Sequence, residues 1–150
     1  MPAESELLPE VLNAVANKED LVLMMESGYI YLRLGKFAEA LAIFEGVLSL
    51  SPESEVPIVA MGSVYFGQFK YDQAVSFYRK AIKKKPDSAF ARAYLGESLF
   101  FQGKKEDALT ELQKASDLEP KGKSGDFARV LLEAIKNGYN PPGMVAGAVS

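Results

Sequence analysis

This sequence predicts an all-α fold, a linear array of three helical hairpins, and two observations carry the prediction. The first is periodicity. Pro52, Pro86 and Pro120 stand 34 residues apart, and Ala40, Ala74, Ala108 and Gly28, Gly62, Gly96 keep the same interval. Two further columns hold mostly large residues, Tyr31, Tyr65, Leu99 in one and Phe44, Tyr78, Leu112 in the other. Such repetition marks a chain built from copies of one supersecondary unit. The second observation is spacing inside the unit. Met24, Ser27, Gly28 and Tyr31 recur three and four apart, as do Phe37, Ala40, Leu41, Phe44 and Val47. That is the period of one helix face.

Taken in order, residues 1–20 form an N-terminal helix with the apolar stripe Leu7, Leu8, Val11, Leu12 and Val15. Cap, dimer contact and lid are the roles open to it. The repeats fill 21–122, divided as 21–54, 55–88 and 89–122. Their helices are expected near 21–34, 37–50, 55–68, 71–84, 89–102 and 105–118. Gly28 and Ala40 are small where two helices cross closely, and Tyr31 and Phe44 are large where the crossing opens. Gly35-Lys36 and Gly103-Lys104 separate first helix from second. Each of the three prolines ends a second helix, because its ring cannot continue the hydrogen-bond ladder. In the middle unit, Gly67-Gln68-Phe69-Lys70 brings the glycine two residues early, so a different turn is expected there. Residues 123–138 carry Phe127, Val130, Leu131, Ala134 and Ile135 on one face and close at Asn137-Gly138. This is the capping helix that the end of a repeat stack requires. Residues 139–150 lack a core-forming pattern and read as a flexible tail.

The five columns resemble the tetratricopeptide repeat over about residues 21 to 120. The resemblance implies a right-handed superhelix whose first helices line a concave groove, with another polypeptide as its ligand. By the repeat register, Val22, Met25, Glu26, Tyr29, Leu32 and Arg33 face that groove from the first unit. Val56, Val59, Ala60, Ser63, Phe66 and Gly67 face it from the second, and Phe90, Ala93, Tyr94, Glu97, Phe100 and Phe101 from the third. The partner-binding set is Met25, Glu26, Tyr29, Leu32, Val59, Ser63, Phe66, Phe90, Tyr94, Glu97 and Phe101. Most of it is apolar or aromatic, the composition of interface centres. Phe66 and Phe100 are also the members best suited to packing between repeats. Relatives that hold chaperone C-terminal tails resemble one another in a Lys, Asn and Arg clamp on the terminal carboxylate. The matching positions here are Met25, Tyr29, Ala60, Phe90 and Tyr94, none of them basic, so that use of the fold is not expected.

Composition narrows the function further. With 48% hydrophobic and 25% charged residues, the 150-residue chain is of globular type and fits one domain. Its net charge of -3 argues against a nucleic-acid partner, which demands a concentrated basic face. The cluster Arg79, Lys80, Lys83, Lys84 and Lys85 precedes Pro86 and complements a helix C-terminus. The chain has no cysteine and no histidine, which removes thiolate nucleophiles, imidazole bases and the ordinary zinc ligand sets. Asp107 and Glu111 are carboxylates expected on solvated helix faces. No catalytic residue, metal or cofactor is therefore expected. No stretch has the roughly 18 to 20 apolar residues of a membrane span. The acidic start Met1–Glu6 is unlike a signal peptide, and a cytoplasmic protein is expected.

A groove of aromatic and aliphatic side chains suits an apolar segment or an amphipathic helix of the partner. Small size, three repeats, acidic charge and such a groove are similar to the repeat-type chaperones of bacterial type III secretion. That resemblance implies a needle subunit or translocator as ligand. Glu26 and Glu97 on the groove face are then either solvated or paired with basic residues of that ligand. A general scaffold joining folded proteins is the alternative. Homodimer and hetero-complex are both open to the chain.

Overall fold

The structure, a computed structural model, describes residues 17–141. The stripe Leu7 to Val15 and residues 142–150 of the expected tail lie outside the described residues. Seven helices and no strand occur among those described: α1 (Lys18–Arg33), α2 (Phe37–Leu50), α3 (Val56–Gly67), α4 (Tyr71–Lys84), α5 (Ala89–Phe101), α6 (Lys105–Leu118) and α7 (Lys123–Lys136). Helices α1–α2, α3–α4 and α5–α6 pair as antiparallel hairpins stacked into a superhelical array, and α7 packs on α5 and α6. The start of α1 is a capping box. Asn17 Oδ1 accepts from the Asp20 amide at 2.9 Å, and the Asp20 carboxylate accepts from the Asn17 amide at 3.3 Å.

The glycine and aromatic columns meet face to face. A Cβ on Gly28 would stand 2.3 Å from Phe44 Cε1, one on Gly62 2.5 Å from Tyr78 Cε1, and one on Gly96 2.6 Å from Leu112 Cγ. Phe44 therefore fills the close crossing itself, not an opening beside it as the sequence suggested. The bare backbone of each first helix is the notch into which the large residue of its partner fits. Ala40, Ala74 and Ala108 complete the crossings, and all three are fully buried with Phe44, Tyr78 and Leu112.

The connections repeat as faithfully. Before each repeat proline the backbone leaves the helical region, at φ/ψ -137°/68° for Ser51, -139°/89° for Lys85 and -132°/77° for Glu119. The proline ring disfavours helical backbone in its predecessor, so helix and hairpin end together. Within the hairpins, Gly35 at φ 73° and Gly103 at φ 84° take the left-handed position that closes a first helix. In the middle repeat the same position belongs to Phe69, at φ 63° and 79% exposed. The turn is not a different one after all. Phe69 donates to the Phe66 carbonyl and Lys70 to the Tyr65 carbonyl, both at 2.9 Å, just as Gly103 and Lys104 bond Phe100 and Leu99. A left-handed conformation costs an L-residue about 1 kcal/mol or more, and the Phe69 ring recovers little of it in solvent. Phe69→Gly is expected to stabilise the protein by about 1 kcal/mol in a urea melt.

Helix α7 covers one end of the stack. Glu119 Oε2 accepts from the Gly125 amide at 2.8 Å, and a Cβ on Gly125 would come within 1.8 Å of the Glu119 carbonyl oxygen. The helix is thus seated directly on the chain that leads into it. Ala128, Leu131, Leu132 and Ile135 are its buried face. Val130, expected in that stripe, is 68% exposed, and Leu132 takes its place because the helix is rotated toward α5 and α6.

Candidate peptide-binding groove

The first helices of the three hairpins line two adjoining clefts. One, of about 680 Å³, has Val22, Met25, Glu26 and Tyr29 of α1 on one wall, Val56 and Pro57 of α3 beside them, and Phe90 and Tyr94 of α5 opposite. The other, of about 420 Å³, lies further along the same helices among Leu32, Arg33, Ser63, Phe66, Gly67 and Glu97, with Tyr78 of α4 at its side. Tyr94 borders both clefts and joins them.

Among the residues proposed from sequence, Met25, Glu26, Tyr29, Leu32, Ser63, Phe66, Phe90, Tyr94 and Glu97 border these clefts. Val59 does not. It is fully buried, as are Ala60 and Ala93, and Phe100 is 4% exposed. The reason is position in the stack: α3 is flanked by a hairpin on each side, so little of its circumference is left for the groove. Phe101 also leaves the groove. Its ring meets Phe66 edge-on at 5.0 Å and lies 5.5 Å from Tyr71, packing between the second and third repeats. Val56, which the register places on the groove face, and Pro57 line the larger cleft, and only the observed depth of the cleft identifies Pro57.

Tyr94 is shared between groove and core. It stacks on Phe127 at 5.5 Å and 22°, meets Phe90 edge-on at 5.2 Å and lies 6.1 Å from Tyr78. The cap helix α7 is thereby locked to the groove wall. Burial pushes the hydroxyls of Tyr29, Tyr78 and Tyr94 up, with Glu97 adding to the effect at Tyr78 and Tyr94. Ser63 Oγ lies 3.1 Å from the Tyr78 hydroxyl and donates to the Val59 carbonyl at 3.2 Å, so much of its bonding is spent within the fold.

The carboxylates divide by environment. Glu26 is exposed at the rim. Glu111, expected on a solvated face, is instead held by Arg92 at 2.8 Å across the α5–α6 crossing, with Lys114 at 3.5 Å. Glu97 is the unusual one. Burial raises its carboxyl from the ordinary 4.5 to about 7, and among the described residues it pairs with no cation. No cluster of three or more metal-ligating side chains occurs among the described residues, and none of their helices is long and apolar enough to cross a membrane.

Residues 33–115 match the sequence model of a family described as anaphase-promoting complex, cyclosome, subunit 3, over more than half of the chain. The chain belongs to this family of tetratricopeptide type. No curated protein sequence matches the tetratricopeptide chain. Solved structures share its fold at low identity. The type III secretion translocator chaperone SycD of Yersinia enterocolitica superposes with a TM-score of 0.69 at 17% identity, covering 89% of this chain and 99% of its own. PcrH in complex with the chaperone-binding region of PopB gives 0.66 at 16%, covering 81% and 98%. The first tetratricopeptide domain of Spaghetti (RPAP3), bound to the HSP90 peptide SRMEEVD, gives 0.64 at 23%, covering 81% and 94%.

Proposed function

We propose that this tetratricopeptide chain is a non-catalytic holder of another polypeptide, whose concave groove covers an apolar or amphipathic helical segment of a secretion substrate. The observation that carries the reading is the pair of clefts joined at Tyr94, walled by Val22, Met25, Tyr29, Val56, Phe66 and Phe90. An amphipathic helix lays its apolar face into such a groove, anchored at positions three and four apart. The chain would act by mass action, binding a segment that otherwise self-assembles and so lowering its free concentration. SycD, with which it shares its fold, is a type III secretion translocator chaperone, and PcrH, of the same fold, is bound to the chaperone-binding region of PopB. That supports a cytoplasmic chaperone of a type III translocator or needle subunit.

One feature of the array favours the scaffold reading. Leu23, Ile30 and Leu34 are 62%, 48% and 65% exposed on or beside α1, outside both clefts, and offer a second apolar face to a folded protein or another copy.

Met25→Glu tests the groove, because Met25 is only partly buried, borders the larger cleft and lies away from the glycine crossings. Its melting temperature is expected to stay within a few degrees of wild type. A co-purifying protein that aggregates or is unstructured alone should fall at least about tenfold in yield, as a charge placed at an interface centre demands. Retention of folded partners by Met25→Glu would move the binding surface to Leu23, Ile30 and Leu34.

A further inference from the structure

We infer that the inner cleft is a cation-recognition pocket, in which the Glu97 carboxylate receives a lysine or arginine side chain of the bound segment. The inference rests on the polypeptide-binding reading above and adds to it the chemistry of one anchor residue.

Glu97 lines the cleft together with three aromatic residues, Phe66 of α3, Tyr78 of α4 and Tyr94 of α5. A carboxylate withdrawn from water normally finds a cation or hydrogen-bond donors within the fold. The array applies that rule at Glu111, which Arg92 and Lys114 neutralise. It does not apply it at Glu97. Among the described residues Glu97 accepts no hydrogen bond and makes no ion pair, although its oxygens are not sealed in the core. The charged and titratable groups facing it are Arg33 of α1, Tyr78 and Tyr94. Arg33 borders the same cleft but is solvent-exposed and makes no ion pair with Glu97.

An incoming ammonium or guanidinium group would find the missing partner and, around it, ring faces that attract cations. The aliphatic stem of the same lysine or arginine would cover Phe66 and Leu32, as long basic side chains do on apolar surface. A neutral apolar side chain would instead leave the carboxylate desolvated and unpaired. The pocket therefore discriminates, because burying Glu97 under the wrong residue costs more than matching it gains. The outer cleft supplies apolar area, and the inner one fixes register along the bound segment. The expected ligand is an apolar or amphipathic stretch with one basic residue at a set position.

Selection from a library of displayed random 20-residue peptides tests this, with wild type and Glu97→Gln as baits at pH 8. Glutamine keeps the shape and removes the charge, and equal or higher melting temperature of the variant confirms its fold. Wild type is expected to enrich apolar peptides carrying Lys or Arg at one fixed spacing from the apolar anchors. Glu97→Gln should select apolar peptides with that preference reduced at least about tenfold, as for loss of one partner of a desolvated pair. Two results overturn the pocket while leaving the groove standing. They are apolar peptides without a basic preference from wild type, or an equal preference from Glu97→Gln. Failure of wild type to enrich apolar peptides at all overturns the groove and the pocket together.

Discussion

Gly62→Ala is expected to destabilise the array by about 3 kcal/mol, a large effect for one added methyl group. The new Cβ would stand 2.5 Å from Tyr78 Cε1 and 2.8 Å from Tyr78 Cδ1. Tyr78 has nowhere to retreat. Its ring is fully buried, and its hydroxyl is bonded to Ser63 at 3.1 Å. The hairpin must open or the tyrosine must leave its rotamer, and the middle repeat transmits either change to both neighbours. Gly46→Ala is the matched control. It also replaces a glycine inside a helix, but its nearest neighbour would be Met24 Cε at an ordinary 3.7 Å. There only the helix preference of alanine acts, and a gain of about 0.5 to 1 kcal/mol is expected. Urea denaturation of both variants reads the difference. Equal and small effects would show that α3 and α4 do not cross at Gly62.

Glu97→Gln should stabilise the unliganded protein strongly in alkali and hardly at all in acid. Burial holds the Glu97 carboxyl at about 7 in the folded chain, against 4.5 when it is freely solvated. The folded state therefore binds the proton more tightly than the unfolded state. Wild-type stability from this group is fully present below pH 4.5, declines as pH rises, and is lost above about 7. At pH 8 the unpaired charge costs on the order of 3 kcal/mol, taking each pKa unit as about 1.36 kcal/mol. The other carboxylates are common to both proteins and cancel in the difference. A stability gap that opens between pH 4.5 and 7 is the expected result, and a gap constant from pH 4 to 8 would mean that Glu97 is solvated. A ligand that supplies a cation should close the gap at pH 8.

How much of this was written in the chain depends on how far apart the deciding residues lie. Hairpin order, turn positions and the buried alanine column follow from the period of Pro52, Pro86 and Pro120, because each repeat solves the same packing problem locally. The turn at Phe69 was misread. Local composition pointed to a new geometry, but the stacked neighbours impose the old one and leave a phenylalanine in a glycine position. Val59 and Phe101 were misplaced for a related reason. A helical wheel assigns them to the free side of one hairpin, while the adjacent hairpin covers that side. The depth of Glu97 is the least legible feature. Its register is visible, but the aromatic residues that share its cleft, Phe66, Tyr78 and Tyr94, come from three different helices.

Partners are expected along α1, α3 and α5, not on the outer helices. Photo-crosslinking in cells reads this directly, with benzoylphenylalanine placed at Met25 in the groove or at Ser76, exposed on α4. The expected result is a covalent adduct to a partner polypeptide from position 25 and none from position 76. An adduct formed from position 76 alone would contradict the account and place the working surface on the second helices.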